Sequence, residues 1–148
     1  MSEACDLDAV AARRLMCAKQ LSPLELLDSC IRRIEQVDGA VNAMVARSFD
    51  RARDEAHQPQ AAIMKGENLG VLHGLPMGVN DLNVTQDLRT TYGSLLYADH
   101  VPDADELLIA KLRAAGAIVI GKTNTPEFGA GANTVNKVYG ATVNPFDN

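Results

Sequence analysis

The sequence predicts an α/β protein, and three observations support this fold class. Residues 1–66 show the apolar spacing expected of helices, whereas residues 67–148 carry short apolar runs separated by Gly, Pro, Thr and Asn and begin an α/β core. Residues 117–120 form a continuous apolar run directly after a helical segment, which is typical of a strand buried on both faces. This alternation favours a helix-covered sheet, which two or three strands would leave incomplete.

The first third of the chain carries the signals of three helices. Asp6 is expected to cap a helix that runs to about Lys19. Residues 22–25 read Ser-Pro-Leu-Glu, a capping box with proline at the first helical position. A buried stripe follows on that second helix, at Leu27, Cys30, Ile31 and Ile34. Gly39 should end it, Ser48 should cap a third helix, and Pro59 should interrupt that third helix.

The rest of the chain predicts strands and one further helix. Residues 41–46 are a possible strand, and residues 75–80 are the best strand candidate of the second half. A helix should open at residues 103–106 and end at Gly116. Its buried face is expected to hold Leu108, Leu112 and Ala115.

Composition narrows the classes of function. The chain has 148 residues, 47% hydrophobic and 22% charged, as expected for a globular domain with a real core. A net charge of −5 and no undiluted basic patch argue against nucleic-acid binding. Neither a signal peptide nor a membrane span is expected. Cys5, Cys17 and Cys30 lack the spacing of a disulfide framework or a zinc site, so a reducing, cytoplasmic setting is the expectation.

Several residues could be taken for a nucleotide-binding loop, a carboxylate pair or metal ligands, but the local sequence does not support these functions. Residues 116–123 match the phosphate-loop pattern GxxxxGK[ST], but a helix precedes the first glycine and Ala-Ile-Val-Ile favours a strand, so nucleotide binding is rejected. Asp81 and Asp87 are expected to be solvated loop residues rather than a carboxylate pair. The three histidines, at positions 57, 73 and 100, are expected to be surface or hydrogen-bonding side chains rather than metal ligands.

Four blocks of the sequence carry a resemblance to a known family. They are residues 72–81 (LHGLPMGVND), 90–94 (TTYGS), 112–128 (LRAAGAIVIGKTNTPEF) and 140–147 (GATVNPFD). The first is similar to the stretch G-(L/I)-P-(hydrophobic)-G-V-K-D of amidase-signature enzymes, and the other three resemble further blocks of that family in the same order. The chain therefore resembles the N-terminal portion of an amidase.

The resemblance implies a fold, a reaction and a site. The family has an α/β/α fold on a large mixed sheet and hydrolyses carboxylic amides with a Ser–cis-Ser–Lys triad, with neither metal nor cofactor at that site. Where the family has the lysine this chain has Asn80, whose amide does not titrate near neutral pH. The serine block of the family lies beyond residues 140–147, and neither Lys65 nor Lys122 stands at the catalytic position. We therefore expect this chain alone to be an inactive amidase fragment.

Two other functions remain open at this point. The chain is alternatively a truncated pseudoenzyme or assembly module that self-associates through unpaired strand edges. Less favoured is a portion of a glutamine amidotransferase subunit. The expected partner of the complete enzyme is a small-molecule amide, with no nucleic acid and no membrane.

Overall fold

The structure is a computed structural model, and it describes residues 3–65 and 69–146. The helices are α1 (Ala9–Cys17), α2 (Pro23–Val41), α3 (Phe49–Lys65) and α4 (Leu107–Ala114). The strands are β1 (Met44–Arg47), β2 (Pro76–Asn80), β3 (Ile118–Thr123), β4 (Val135–Asn136) and β5 (Gly140–Ala141). Short 3₁₀ turns lie at Ala4–Asp6, Leu95–Tyr97 and Glu127–Gly129.

The main sheet is mixed, as the resemblance implies. Its strand order is β1-β3-β2, and β1 pairs with β3 in the antiparallel sense. The Ile118 N–H donates to the Leu75 carbonyl, and farther along the same two segments the Asp81 N–H donates to the Thr123 carbonyl. The two segments therefore advance together, so β2 runs parallel to β3. β4 and β5 form a separate antiparallel pair.

The chain divides into two compact units. Unit 1 comprises Met1–Ile34, Ser48–Met77 and Lys111–Ile120, and unit 2 comprises Glu35–Arg47, Gly78–Ala110 and Gly121–Asn148. The predicted boundary between a helical segment ending at residue 66 and an α/β core beginning at residue 67 lies outside the described residues.

Unit 1 has a helical core that the sequence largely anticipates. Ala12, Met16, Leu26 and Ile63 form a buried cluster. The capping box is confirmed, because the Glu25 N–H donates to Ser22 Oγ at 3.1 Å and the Ser22 N–H donates to Glu25 Oε2 at 2.8 Å. Leu27 and Ile31 are fully buried on the predicted stripe of α2, with Cys30 half-buried beside them.

Two predicted helix ends need correction. Asp8 rather than Asp6 caps α1, since the Ala11 N–H donates to Asp8 Oδ1 at 2.7 Å, and Asp6 lies in the preceding 3₁₀ turn. Helix α2 does not stop at Gly39 but continues to Val41. The left-handed residue is Asn42, with φ 57°, and its amide donates to the carbonyls of Tyr139 and Ala141. These long-range bonds compensate for the strained backbone that glycine would otherwise relieve.

The third helix begins directly after Ser48, as predicted, but Pro59 does not interrupt it. Pro59 lies inside α3, which continues to Lys65. It is buried with Ala52, Ala56 and Ile63, so packing of the apolar face outweighs the hydrogen bond that proline removes. Ser48 immediately precedes α3, where its carbonyl accepts the Ala52 N–H at 2.9 Å and its hydroxyl donates to the Val119 carbonyl at 3.2 Å.

The fourth helix begins later and buries a different face than predicted. It starts at Leu107, with Ile109 1% exposed and Leu108 53% exposed. The acidic residues before it are engaged elsewhere, because the Gln86 N–H donates to Asp105 and the Val84 N–H donates to Glu106. Gly116 follows the helix with φ 95°, as expected for a left-handed helix end.

Candidate active site

Unit 2 brings parts of all four sequence blocks together. Hydrogen bonds join Asp81 to Thr91, Tyr92 to Phe128, Ser94 to Glu127, and Asn124 to Thr142. Blocks that are far apart in the sequence therefore form one connected region. Asp147, the last residue of the fourth block, lies outside the described residues.

Asn80 is the last residue of β2, and its side chain is exposed. Its Oδ1 accepts the Leu82 N–H at 2.9 Å, and its carbonyl accepts the Asn83 N–H at 3.0 Å. The amide thus closes the turn that follows the strand, a local bond that Asn forms readily. It provides no group that takes up a proton near neutral pH.

Asp81 is wholly buried, which corrects the prediction that it is a solvated loop residue. Its carboxylate accepts the Thr91 hydroxyl at 2.5 Å, the Thr91 N–H at 3.0 Å and the Gly93 N–H at 3.4 Å. Its own carbonyl also accepts the Tyr92 N–H. Hydrogen bonds of this number offset the cost of burying a carboxylate. Asp81 therefore attaches the loop of residues 90–94 to the end of β2. Asp87 is exposed, as predicted.

Lys122, in β3, is also wholly buried. Its ammonium donates to the Asn83 carbonyl and to Thr85 Oγ1, the latter at 2.9 Å. Burial lowers the pKa of Lys122 to about 8, although nearby Asp81 and Glu106 act in the opposite direction. The ammonium is thus used to hold the turn that follows Asn80. The sequence hinted at this only through a charged residue inside an otherwise apolar strand.

Two aromatic residues have a left-handed backbone near this turn. Tyr92 has φ 54° and Phe128 has φ 52°, and the Phe128 N–H donates to the Tyr92 carbonyl at 2.7 Å. Their rings stack at a centroid distance of 6.4 Å. Gly93, which follows Tyr92, has φ 66°, and a Cβ there would lie 3.0 Å from the Thr125 carbonyl oxygen. The loop therefore requires glycine at this position.

Two asparagines position the last block. The Asn136 amide donates to Asn124 Oδ1 at 2.7 Å and to the Thr125 carbonyl at 2.8 Å. Asn124 in turn donates to Thr142 Oγ1 at 3.0 Å, and the Thr142 hydroxyl donates to the Asn42 carbonyl at 2.6 Å. These amides satisfy otherwise unpaired backbone groups around β4 and β5. Sequence reasoning missed both residues, because no local pattern marks an amide as buried.

The three histidines have exposed or hydrogen-bonded surroundings or pack against an aromatic ring. His73 Nε2 lies 3.2 Å from the Pro59 carbonyl in unit 1, and His57 is exposed. His100 packs its ring at 5.8 Å from that of Tyr97. The strand predicted at residues 117–120 of the phosphate-loop pattern is found as β3, which runs from Ile118 to Thr123.

The mixed α/β sheet and the four blocks around Asn80 define a protein of the amidase-signature class. The sequence model of the amidase family matches residues 25–148. The chain belongs to the amidase family. It spans 26–30% of the length of the curated relatives it matches, and no helix of the described residues is long and apolar enough to cross a membrane.

Relatives of known name support this assignment. The chain is 41% identical over 133 residues to the A subunit of the glutamyl-tRNA(Gln) amidotransferase of Moorella thermoacetica, covering 90% of this chain and 27% of the relative. It is 37% identical over 145 residues to the protein of the same name from Anaeromyxobacter sp. strain K, covering 98% and 30%.

Solved structures of amidase-type enzymes also superpose on this chain. A bacterial aryl acylamidase of the amidase-signature family superposes with a TM-score of 0.88 at 32% identity, over 95% of this chain and 30% of that one. A 6-aminohexanoate cyclic dimer hydrolase in complex with substrate superposes with a TM-score of 0.82 at 30% identity, over 95% and 28%. A fatty acid amide hydrolase shares the fold, with a TM-score of 0.90 at 22% identity over 97% and 25%.

Proposed function

We propose that this chain is the N-terminal part of an amidase-type hydrolase of carboxylic amides, and that Asn80 occupies the position of its catalytic lysine. The observation that carries the proposal is the connected region of unit 2, in which four family-like blocks meet around the end of β2. With asparagine at position 80, the chain by itself does not hydrolyse amides.

The chemistry explains why the substitution matters. A serine hydroxyl is a weak nucleophile until a base removes its proton, and a lysine whose pKa is lowered by burial can act as that base. In the proposed mechanism a second serine relays the proton, which is then returned to the leaving amine. An amide side chain performs neither transfer, and loss of general acid–base catalysis costs about 10²–10⁴-fold in rate. The two serines of such a triad are not assigned to any residue of this chain.

Lys122 does not replace the missing base. Its ammonium is buried and already donates to Asn83 and Thr85, whereas the Asn80 side chain is exposed. Release of its proton would leave the Asn83 carbonyl with a weaker donor. The lowered pKa of Lys122 is therefore a consequence of burial rather than a mark of catalysis.

A glutamine amidotransferase portion is the second candidate for the reaction. The curated relatives at 37–41% identity carry the name of a glutamyl-tRNA(Gln) amidotransferase, which favours glutamine as the amide. The solved relatives named an aryl acylamidase and a 6-aminohexanoate cyclic dimer hydrolase favour other amides. Hydrolysis of glutamine compared with hydrolysis of an aryl amide separates these two functions.

A non-catalytic binding or assembly module is the third candidate, and Asn80 favours it. In the described part of the chain, β1 and β2 each have one neighbour in the main sheet, and such strand edges invite association. This function predicts oligomers by light scattering in the protein that carries Asn80. A monomer at all concentrations would argue against it.

The test of the leading proposal is an amide-hydrolysis assay on the protein purified from its source, with peptide mass coverage of position 80. The natural protein is compared with Asn80→Lys and with Asn133→Lys, which adds the same charge at an exposed asparagine of unit 2. In a purified protein that also contains the two serines, we expect hydrolysis only with lysine at position 80. Equal rates for the natural protein and the Asn80→Lys variant of such a protein would contradict the assigned role of this position.

A further inference from the structure

An apolar cleft in unit 1 contains two of the three cysteines. The cleft has a volume of about 250 Å³ and is lined by Cys5 and Cys30 among aliphatic side chains that include Leu7, Leu26 and Leu75. Both thiols are half-buried and reduced in the structure. The amidase chemistry proposed above uses neither of them.

A direct contact holds the segment of Cys5 against helix α2. The Cys5 N–H donates to the Ser29 hydroxyl at 3.1 Å, and Ser29 is the buried residue immediately before Cys30. Cys30 packs against the buried cluster of unit 1. The two cysteines are therefore neighbours in the fold although 25 positions separate them in the sequence.

We propose that Cys5 and Cys30 are an oxidation-sensitive thiol pair, and that a peroxide converts them into an intrachain disulfide within the native fold. The Cys5 thiol loses its proton, the thiolate attacks one peroxide oxygen and the O–O bond breaks, so that sulfenic acid forms and the departing hydroxide takes up the proton as water. The Cys30 thiol then attacks the sulfenic sulfur, so that the S–S bond forms and the S–O bond breaks. In total, two thiols are oxidised and one hydrogen peroxide is reduced to two water molecules.

The order of the two steps follows from the surroundings of each sulfur. Burial, and secondarily the proximity of Cys5, raises the pKa of the Cys30 thiol, so Cys30 reacts slowly with peroxide. The Cys5 thiol donates hydrogen bonds to two carboxylates in an exposed position, Glu3 Oε2 at 3.7 Å and Asp6 Oδ1 at 3.9 Å, so peroxide in solution can reach it. Cys5 is therefore the thiol that is oxidised first, and Cys30 is the thiol that resolves the sulfenic acid.

Cys17 provides an internal control. It is exposed at the end of α1, where its sulfur accepts a hydrogen bond from Arg13 at 3.6 Å, and it does not line the cleft. Three pairings of the three cysteines are possible in an unfolded chain, and the fold selects one of them.

The experiment uses the reduced 148-residue chain, treated with hydrogen peroxide in native buffer and, separately, in urea. Trypsin places the three cysteines on separate peptides, residues 1–13, 15–19 and 20–32, so each pairing has its own mass. We expect the native sample to lose the mass of two hydrogen atoms as a monomer and to yield the peptide of residues 1–13 linked to that of residues 20–32. The urea sample should contain all three pairings. Cys17→Ser should leave the native product unchanged, and Cys30→Ser should accumulate sulfenic acid on Cys5.

Two results would overturn the proposal. One is a native product in which Cys17 is the linked residue or in which only intermolecular disulfides form. The other is the same mixture of pairings in native buffer and in urea, since the fold would then make no selection.

Discussion

The ammonium of Lys122 donates a hydrogen bond to Thr85 Oγ1 at 2.9 Å, and both residues are wholly buried. Lys122 belongs to β3, and Thr85 belongs to the turn that follows the exposed Asn80 at the end of β2. A buried charge is therefore used to fix the backbone next to the proposed catalytic position. Burial of this ammonium makes stability depend on pH.

The first prediction concerns that pH dependence. Burial lowers the pKa of Lys122 from its ordinary value of 10.5 to about 8, so above pH 8 the unfolded chain holds a proton that the folded protein releases. The contribution of Lys122 to the free energy of unfolding should therefore rise between pH 8 and pH 10, by up to about 2 kcal/mol at roughly 1.4 kcal/mol per pH unit. It is read as the difference from a variant without this lysine, because the raised pKa of Cys30 lowers the stability of both proteins in the same range. Urea unfolding at several pH values measures this rise.

Lys122→Met is the control for this prediction. It removes the titrating group, so its unfolding free energy should lack the rise that the natural sequence shows. Comparison stops at pH 10, because burial raises the pKa of Tyr92 and Tyr139, and these groups lower stability as pH rises further. An identical pH profile for both proteins would show that Lys122 is not the source.

The second prediction concerns Asp81. Asp81→Asn replaces one acceptor oxygen by an NH₂ group that faces the donors of Thr91 and Gly93. The loss should be about 1–3 kcal/mol in the free energy of unfolding, as for a buried donor left unsatisfied. Asp99→Asn makes the same change at an exposed residue and should stay within about 0.5 kcal/mol. Equal effects of the two substitutions would contradict the anchoring role of Asp81.

The third prediction compares two glycines. Gly93→Ala should destabilise unit 2 by more than about 1 kcal/mol, because its φ of 66° is strained for alanine and the new Cβ meets the Thr125 carbonyl oxygen at 3.0 Å. Gly39→Ala should instead stabilise the protein by up to about 1 kcal/mol, because Gly39 lies inside α2 with nothing within 4 Å of the added Cβ. Thermal unfolding of the two variants measures both signs. Destabilisation by Gly39→Ala would show that α2 ends there, as the sequence suggested.

The fold could be predicted from the sequence where the signal was local. The capping box of Ser22 and Glu25, strand β2 and the left-handed Gly116 each depend on neighbouring residues, and all three are found in the structure. The predictions that helices end at Gly39 and at Pro59 were wrong, because both helices continue beyond these residues. Packing and hydrogen bonds to distant residues stabilise these continuations, and a short stretch of sequence shows neither of these interactions.

In the candidate site too, the sequence identified features that depend on neighbouring residues and missed those that depend on distant ones. Asn80 was identified from the resemblance of its block, and the structure places it at the exposed end of a strand. Asp81, Lys122 and Asn136 could not be recognised in advance, because their burial results from the meeting of segments far apart in the chain. Charged and amide side chains are expected at the surface unless partners are known.

The central claim is that position 80 is the place of the catalytic base. The most direct test is a chimera in which residues 1–148 replace the matching 30% of the bacterial aryl acylamidase. Circular dichroism first shows that the chimeras with Asn80, with Asn80→Lys and with the control Asn133→Lys are folded.

The measurement is the rate of aryl-amide hydrolysis by these three chimeras. The account predicts that Asn80→Lys hydrolyses the amide at least about 10²-fold faster than the chimeras that keep Asn80. Folded chimeras with equal rates, whether asparagine or lysine occupies position 80, would contradict it.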